Sequence, residues 1–133
     1  MKKRRMIVAL MLTCMMLLSM VSASAESITT YADTEFVSAY PTLLSSESVT
    51  FKCSTYEIKS SLSVTACWLQ RDNNGVWTKI CNLTPPSKVS TNTFAYSATV
   101  DYSSKIGVGT YRVWATFNAD GHEITRCSNE RTF

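Results

Sequence analysis

Beyond Met20 the sequence holds no methionine, and over its whole length it holds only four glycines, three prolines and one histidine. So little glycine and proline excludes a collagen-like or low-complexity chain. A single histidine, His122, leaves little material for a zinc site or for proton relay through imidazole. No long apolar run follows Val21, so no membrane-spanning helix is predicted downstream of it. Charge is also sparse, and the formal net value of +3 is carried by one end of the chain. Lys2, Lys3, Arg4 and Arg5 account for four of the 13 basic residues; from Glu26 onward 13 − 4 = 9 bases face 10 acids, a net charge of 9 − 10 = −1. Without a basic surplus there is nothing to displace counterions from a polyanion, so nucleic acid and anionic membrane surfaces are not expected partners.

The N-terminal segment has its own logic. A positive stretch, Met1 to Arg5, leads into an uncharged apolar stretch, Met6 to Val21, that ends at Ala23-Ser24-Ala25. Charge, apolar run and small residues in that order mark a secretory signal peptide over residues 1–25. The apolar run is about 16 residues, short of the roughly 20 that a bilayer-spanning helix needs. Cys14 lies inside this run without the small residue expected before a lipidated cysteine, and reads as leader filler. The expectation is a secreted, extracellular chain of bacterial type, with no membrane insertion after cleavage. A polar lead-in, 26–35, precedes one domain, 36–133.

What remains is rich in serine, threonine, β-branched and aromatic residues and has no apolar 3.6 period, which argues for strands. Strand-like runs are predicted at 36–44, 49–53, 62–71, 76–81, 94–100, 111–117 and 123–133. Pro41 confines the first to a sheet edge. Asp72-Asn-Asn-Gly75 and Asn118-Ala-Asp-Gly121 each suit a three-residue hairpin loop, with Gly75 and Gly121 in the left-handed bulge position. In that register Asp72 pairs with Val76, Arg71 faces Trp77, and Cys67 faces Cys81; in the second hairpin Val113 faces Cys127, which points inward. Cys53 points inward as well, from Val49-Thr-Phe51-Lys-Cys53. Two disulfides, Cys67–Cys81 and Cys53–Cys127, are therefore expected, with two other connectivities open. A two-residue Asp120-Gly121 turn shifts the register by one and turns Cys127 outward.

Cys53 on a second strand, Trp68 on a third, and Gly109-Thr-Tyr111-Arg-Val113 at the entry to a sixth together resemble the immunoglobulin-like β-sandwich, over about residues 36–133. The resemblance implies an all-β, antiparallel, disulfide-stapled sandwich of about seven strands. It also implies a buried Trp68 and a structural, hydrogen-bonding Tyr111. The family places its second half-cystine two residues after that tyrosine, where this chain has Val113. Such a fold assigns no function by itself.

No activated-nucleophile pattern accompanies His122, which reads as a solvated loop residue, so an enzyme is not expected. Cysteine spacings of 14, 14 and 46 lack the close pairs of zinc sites, and no metal or cofactor is expected. Asp72, Asp101, Asp120 and Glu123 read as surface or turn acids rather than a hydrolytic pair. The sequon Asn82-Leu-Thr84 is incidental in a bacterial product. Phe51, Trp68, Ile80, Phe94, Tyr96, Val113 and Phe117 form the expected core. The hairpin registers place Leu69, Arg71, Trp77, Arg112, Trp114 and Arg126 together on one outer sheet face. An aromatic strip flanked by arginine is the composition of an interaction hot spot and also stacks sugar rings. The expected function is thus a secreted, non-enzymatic module that binds a glycan or a protein through that face. The alternative is a small effector, such as a toxin, bacteriocin or protease inhibitor, acting through the loop between Cys81 and Phe94.

Overall fold

A computed structural model describes residues 33–133; the expected leader and all but the last three residues of the lead-in lie outside the described residues. The chain forms eight strands and no helix over this span: β1 (Phe36–Leu43), β2 (Ser48–Lys59), β3 (Leu62–Asn73), β4 (Val76–Leu83), β5 (Thr93–Asp101), β6 (Thr110–Ala119), β7 (His122–Cys127) and β8 (Arg131–Thr132). They make two antiparallel sheets. One has three strands in the order β1-β2-β5, and the other has five, running β4-β3-β6-β7 with β8 also on β6. The fold is therefore an all-β sandwich, with Pro41 on an edge strand as its missing N–H requires.

The core follows from alternation. Val49, Phe51 and Cys53 of β2, Cys67 and Leu69 of β3, and Tyr111, Val113, Ala115 and Phe117 of β6 point into the space between the sheets and are buried. Phe51, Leu69, Val113 and Phe117 are wholly shielded from solvent. Three expected core residues are not in it: Trp68, which stands on the outer face, Ile80 and Phe94. Ile80 is 47% exposed and Phe94 59% exposed. Ile80 is the extra residue of a bulge, since Gln70 pairs with Lys79 but Leu69 with Cys81.

Both hairpin turns are tighter than expected. Asn73 pairs with Val76 and Ala119 with His122, leaving two-residue loops, Asn74-Gly75 and Asp120-Gly121. Their φ values, 55° and 87° in the first and 50° and 93° in the second, are those of type I′ turns, whose twist matches that of the flanking strands. The Asp72 and Asn118 side chains each accept the N–H of the turn glycine, at 2.7 and 3.0 Å. Gly75 and Gly121 thus occupy left-handed positions as expected, within a different turn.

That one-residue difference, joined in the first hairpin by the Ile80 bulge, decides the cysteines. Cys67 lies opposite Leu83, Cys81 opposite Leu69, and Cys127 opposite Trp114. All four cysteines of the domain are free, so the expected Cys67–Cys81 and Cys53–Cys127 bridges are not formed. Cys67 and Cys81 are diagonal rather than facing neighbours, a spacing of roughly 7 to 8 Å between Cα atoms that exceeds the usual disulfide range. Cys53 points into the core while Cys127 lies on the outer face beside Trp114, with the sheet between them.

The C-terminal run expected as one strand is broken at Ser128–Glu130. There the Ser128 hydroxyl accepts the Val113 N–H, and Asn129 both accepts from the Leu43 N–H and donates to the Leu43 carbonyl. Gly109 and Phe133 then exchange backbone bonds at 3.0 and 2.9 Å, closing the end of the sandwich.

Candidate functional site

The outer face of the five-stranded sheet carries a single row of aromatic and cationic side chains. Register places Trp68, Gln70 and Asp72 of β3 beside Trp114 and Arg112 of β6 on one flank, and beside Asn82, Lys79 and Trp77 of β4 on the other. Trp68 and Trp114 stack with their ring centroids 6.0 Å apart and their planes within 6° of parallel. The Arg112 guanidinium lies 4.2 Å from the Trp77 ring centroid and 5.7 Å from that of Trp114. Lys79 Nζ stands 5.5 Å from the Trp68 centroid. The order is Lys79, Trp68, Trp114, Arg112, Trp77.

Gln70 sets the spacing. Its Oε1 accepts both the Arg112 Nε–H, at 2.7 Å, and the Trp114 indole N–H, at 2.8 Å. One amide oxygen thereby fixes the plane of the guanidinium and the tilt of the indole, and satisfies two polar groups that half-burial would otherwise leave costly. Lys79 and Arg112 have no carboxylate partner; among the described residues the ion pairs are Lys59 with Glu35 and His122 with Asp33.

Of the six residues expected on this face, Trp77, Arg112 and Trp114 are there. Leu69 is a core residue, completely buried opposite Val113. Arg71 is on the inner side at the end of the sandwich, over the buried Tyr111 ring at 5.9 Å, and donates to the Val108 carbonyl. Arg126 pairs with buried Ala115 on the inward side of edge strand β7 and donates to the Thr125 carbonyl. Trp68 makes the opposite move, from expected core to outer face. A bulge between Val64 and Ala66 reverses the parity of β3, so that Leu62 and Val64, then Cys67 and Leu69, face inward. Trp77 stays outside because the reversal of β3 and the tighter turn cancel.

Sequence reasoning missed Gln70 and Lys79. The signal for both was their place at the non-bulged positions next to Asn74-Gly75, the strongest dipeptide for a two-residue turn. Tyr111 is buried as expected, but the hydroxyls that tie down the chain are others. Tyr102 donates to the Thr84 carbonyl at 2.6 Å and Tyr96 to the Lys88 carbonyl at 3.2 Å, which pins the 84–92 loop from both sides.

His122 is a surface residue whose Nε2 lies 3.2 Å from Asp33 Oδ2. The same Asp33 carboxylate accepts the Glu35 and Phe36 N–H groups, each at 2.8 Å. Partial burial pushes the Asp33 carboxyl upward, but those backbone donors and His122 outweigh it and hold it below its ordinary range. Burial alone pushes the Cys53 thiol up to about 11, and it raises the Cys67 thiol as well, so neither is poised as a nucleophile. Among the described residues no group of three or more His, Cys, Asp or Glu side chains is placed to hold a metal ion. No family model matches this chain, nor does any curated protein or solved structure.

Proposed function

We propose that this chain is an exported, non-enzymatic interaction module with an immunoglobulin-like fold, and that its partner binds the outer face of the five-stranded sheet. The strand order supports the fold: β1-β2-β5 against β4-β3-β6-β7 is the A-B-E and C′-C-F-G arrangement of such sandwiches. The leader pattern of residues 1–25 supports export to the extracellular space. The observation that carries the binding site is the five-membered row from Lys79 to Trp77, fixed by one glutamine and rich in the residue types that dominate interface energetics. Of the two ligand classes, glycan and protein, the row favours protein. The Trp114 ring already carries Trp68 and Arg112, and the Trp68 ring carries Trp114 and Lys79, so little aromatic face is left for a pyranose to stack on. The test is capture from cell-wall, polysaccharide and extracellular-protein panels by the purified protein, beside Trp77→Ala and Lys79→Glu. Loss of capture in these folded variants supports the face; equal capture by all three removes it.

A loop-based effector is the second reading, and the pinned 84–92 segment favours it. An extended loop held by two tyrosine hydroxyls presents Val89, 54% exposed, with little ordering entropy left to lose on binding. Val89→Asp separates the two, since it leaves the sheet face untouched.

A further inference from the structure

Resting on that reading of the face, we infer that Arg112 is a carboxylate receptor, and that the partner presents an Asp or Glu side chain of an acidic protein segment to it, with Lys79 as the flanking cation. A guanidinium offers five N–H donors in a planar fork. In Arg112 the Nε–H is spent on Gln70 Oε1, and the plane is held between the Trp77 and Trp114 rings. No acidic side chain of the described residues pairs with it or with Lys79. What remains unspent is the terminal edge of the fork, the part that meets a carboxylate through two parallel hydrogen bonds. Pre-orientation by Gln70 removes the rotamer cost a free arginine meets on binding. Arg112 and Lys79 stand on this face without an internal carboxylate, and the one acid that shares the β3 side of it, Asp72, is turned to the Gly75 N–H. A peptide carboxylate fits better than a uronic acid because the indoles offer edges rather than open rings, and edges pack against side chains of a neighbouring chain.

The test is a titration of the purified protein with octaglutamate, octaglutamine and oligoguluronate, followed by NMR of the Arg112 Nε–H and the three indole N–H resonances. The result expected is saturable shifts of the Arg112 and Trp77 signals with octaglutamate alone. Affinity should drop roughly tenfold or more in Arg112→Gln, which loses the bidentate charged contact. Arg126→Gln, off the face, should bind as the parent does. Absence of octaglutamate shifts, equal affinity in Arg112→Gln, equal affinity for octaglutamine, or tighter binding of oligoguluronate each overturns the carboxylate receptor. Because Arg112→Gln also removes a structural contact, Lys79→Gln at the exposed end of the row serves as the second variant and is expected to weaken octaglutamate binding as well; unchanged binding there overturns the flanking role. Trp77→Ala separates the two proposals. If it abolishes capture of a partner that Arg112→Gln still binds, the face stands and the receptor fails; if neither matters, both fail.

Discussion

Replacing Arg112 by alanine removes one charge-assisted hydrogen bond to Gln70 and two cation–π contacts, at 4.2 and 5.7 Å from the Trp77 and Trp114 centroids. A hydrogen bond to a charged group contributes roughly 1.5 to 3 kcal/mol, and a cation–π contact about 0.5 to 1 kcal/mol when exposed and more when desolvated. Gln70 Oε1 keeps the Trp114 indole N–H as a partner, so no acceptor is orphaned and the low end of each range applies. The expected loss is about 2.5 kcal/mol, or roughly 10 to 20 °C in Tm for a domain near this size. Urea denaturation of Arg112→Ala, Trp77→Leu and the double variant isolates the pair. The 4.2 Å contact predicts a coupling energy of about 1 kcal/mol, whereas independent sites add within roughly 0.3 to 0.5 kcal/mol. A coupling inside that margin would refute the argument that the row acts as one unit.

Gly109→Ala sets a Cβ 2.7 Å from Arg71 Nε at φ 144°, forcing Arg71 off Tyr111 and Val108. It should cost more in a thermal melt than Gly121→Ala, whose Cβ meets open space; the reverse order refutes the clamp. Phe51→Ala, in the sealed core, should cost about 3 to 5 kcal/mol, against less than about 0.5 kcal/mol for exposed Phe94→Ala, by chemical denaturation. The Asp33 carboxyl is depressed in the fold, so its contribution is fully present above its unfolded value near about 4 and is lost as pH falls through the lower folded value. Asp33→Asn should therefore flatten the acid limb of stability against pH, and an unaltered limb would remove that contribution. Thiol titration of residues 26–133 should find four reactive groups in urea, with Cys53 and Cys67 labelled by iodoacetamide only on unfolding; fewer than four would mean a bridge.

Strand positions were legible because alternation is a local property. Val49-Thr-Phe51-Lys-Cys53 and Tyr111-Arg-Val113-Trp-Ala115 could lie only one way against a core, and they do. Facing was legible only where alternation is unbroken. Ala66-Cys67-Trp68-Leu69 is apolar on both sides, so the bulge just before it, which sends Trp68 out and Leu69 in, leaves no trace in the residue types. The turn error is of a different kind. Asn74-Gly75 and Asp120-Gly121 fit two loop lengths, and the side chain two residues before each loop, Asp72 or Asn118, accepts the glycine N–H, favouring the tighter one. That single residue swapped the sides of β7 on which Cys127 and Arg126 lie, which separates Cys127 from Cys53, and together with the Ile80 bulge it puts Cys67 and Cys81 out of register. Trp77, Arg112 and Trp114 survived because β6 was read correctly and two errors on the first hairpin cancelled.

The central strand of the larger sheet, β6, lies late in the chain, and 36 residues of strand and loop, 74–109, separate it from its partner β3. The two residues that finish its edge, and the Gly109–Phe133 exchange that seals it, come last of all. A ribosome delivering this chain from its N-terminus therefore releases a three-stranded sheet and a hairpin joined by little more than contacts such as Tyr102 with Thr84 and Cys67 until residue 119 has emerged. Closure awaits synthesis of the end of the domain. Completion of the sandwich thus trails synthesis of β6, and the domain lacks the central strand of its larger sheet until then.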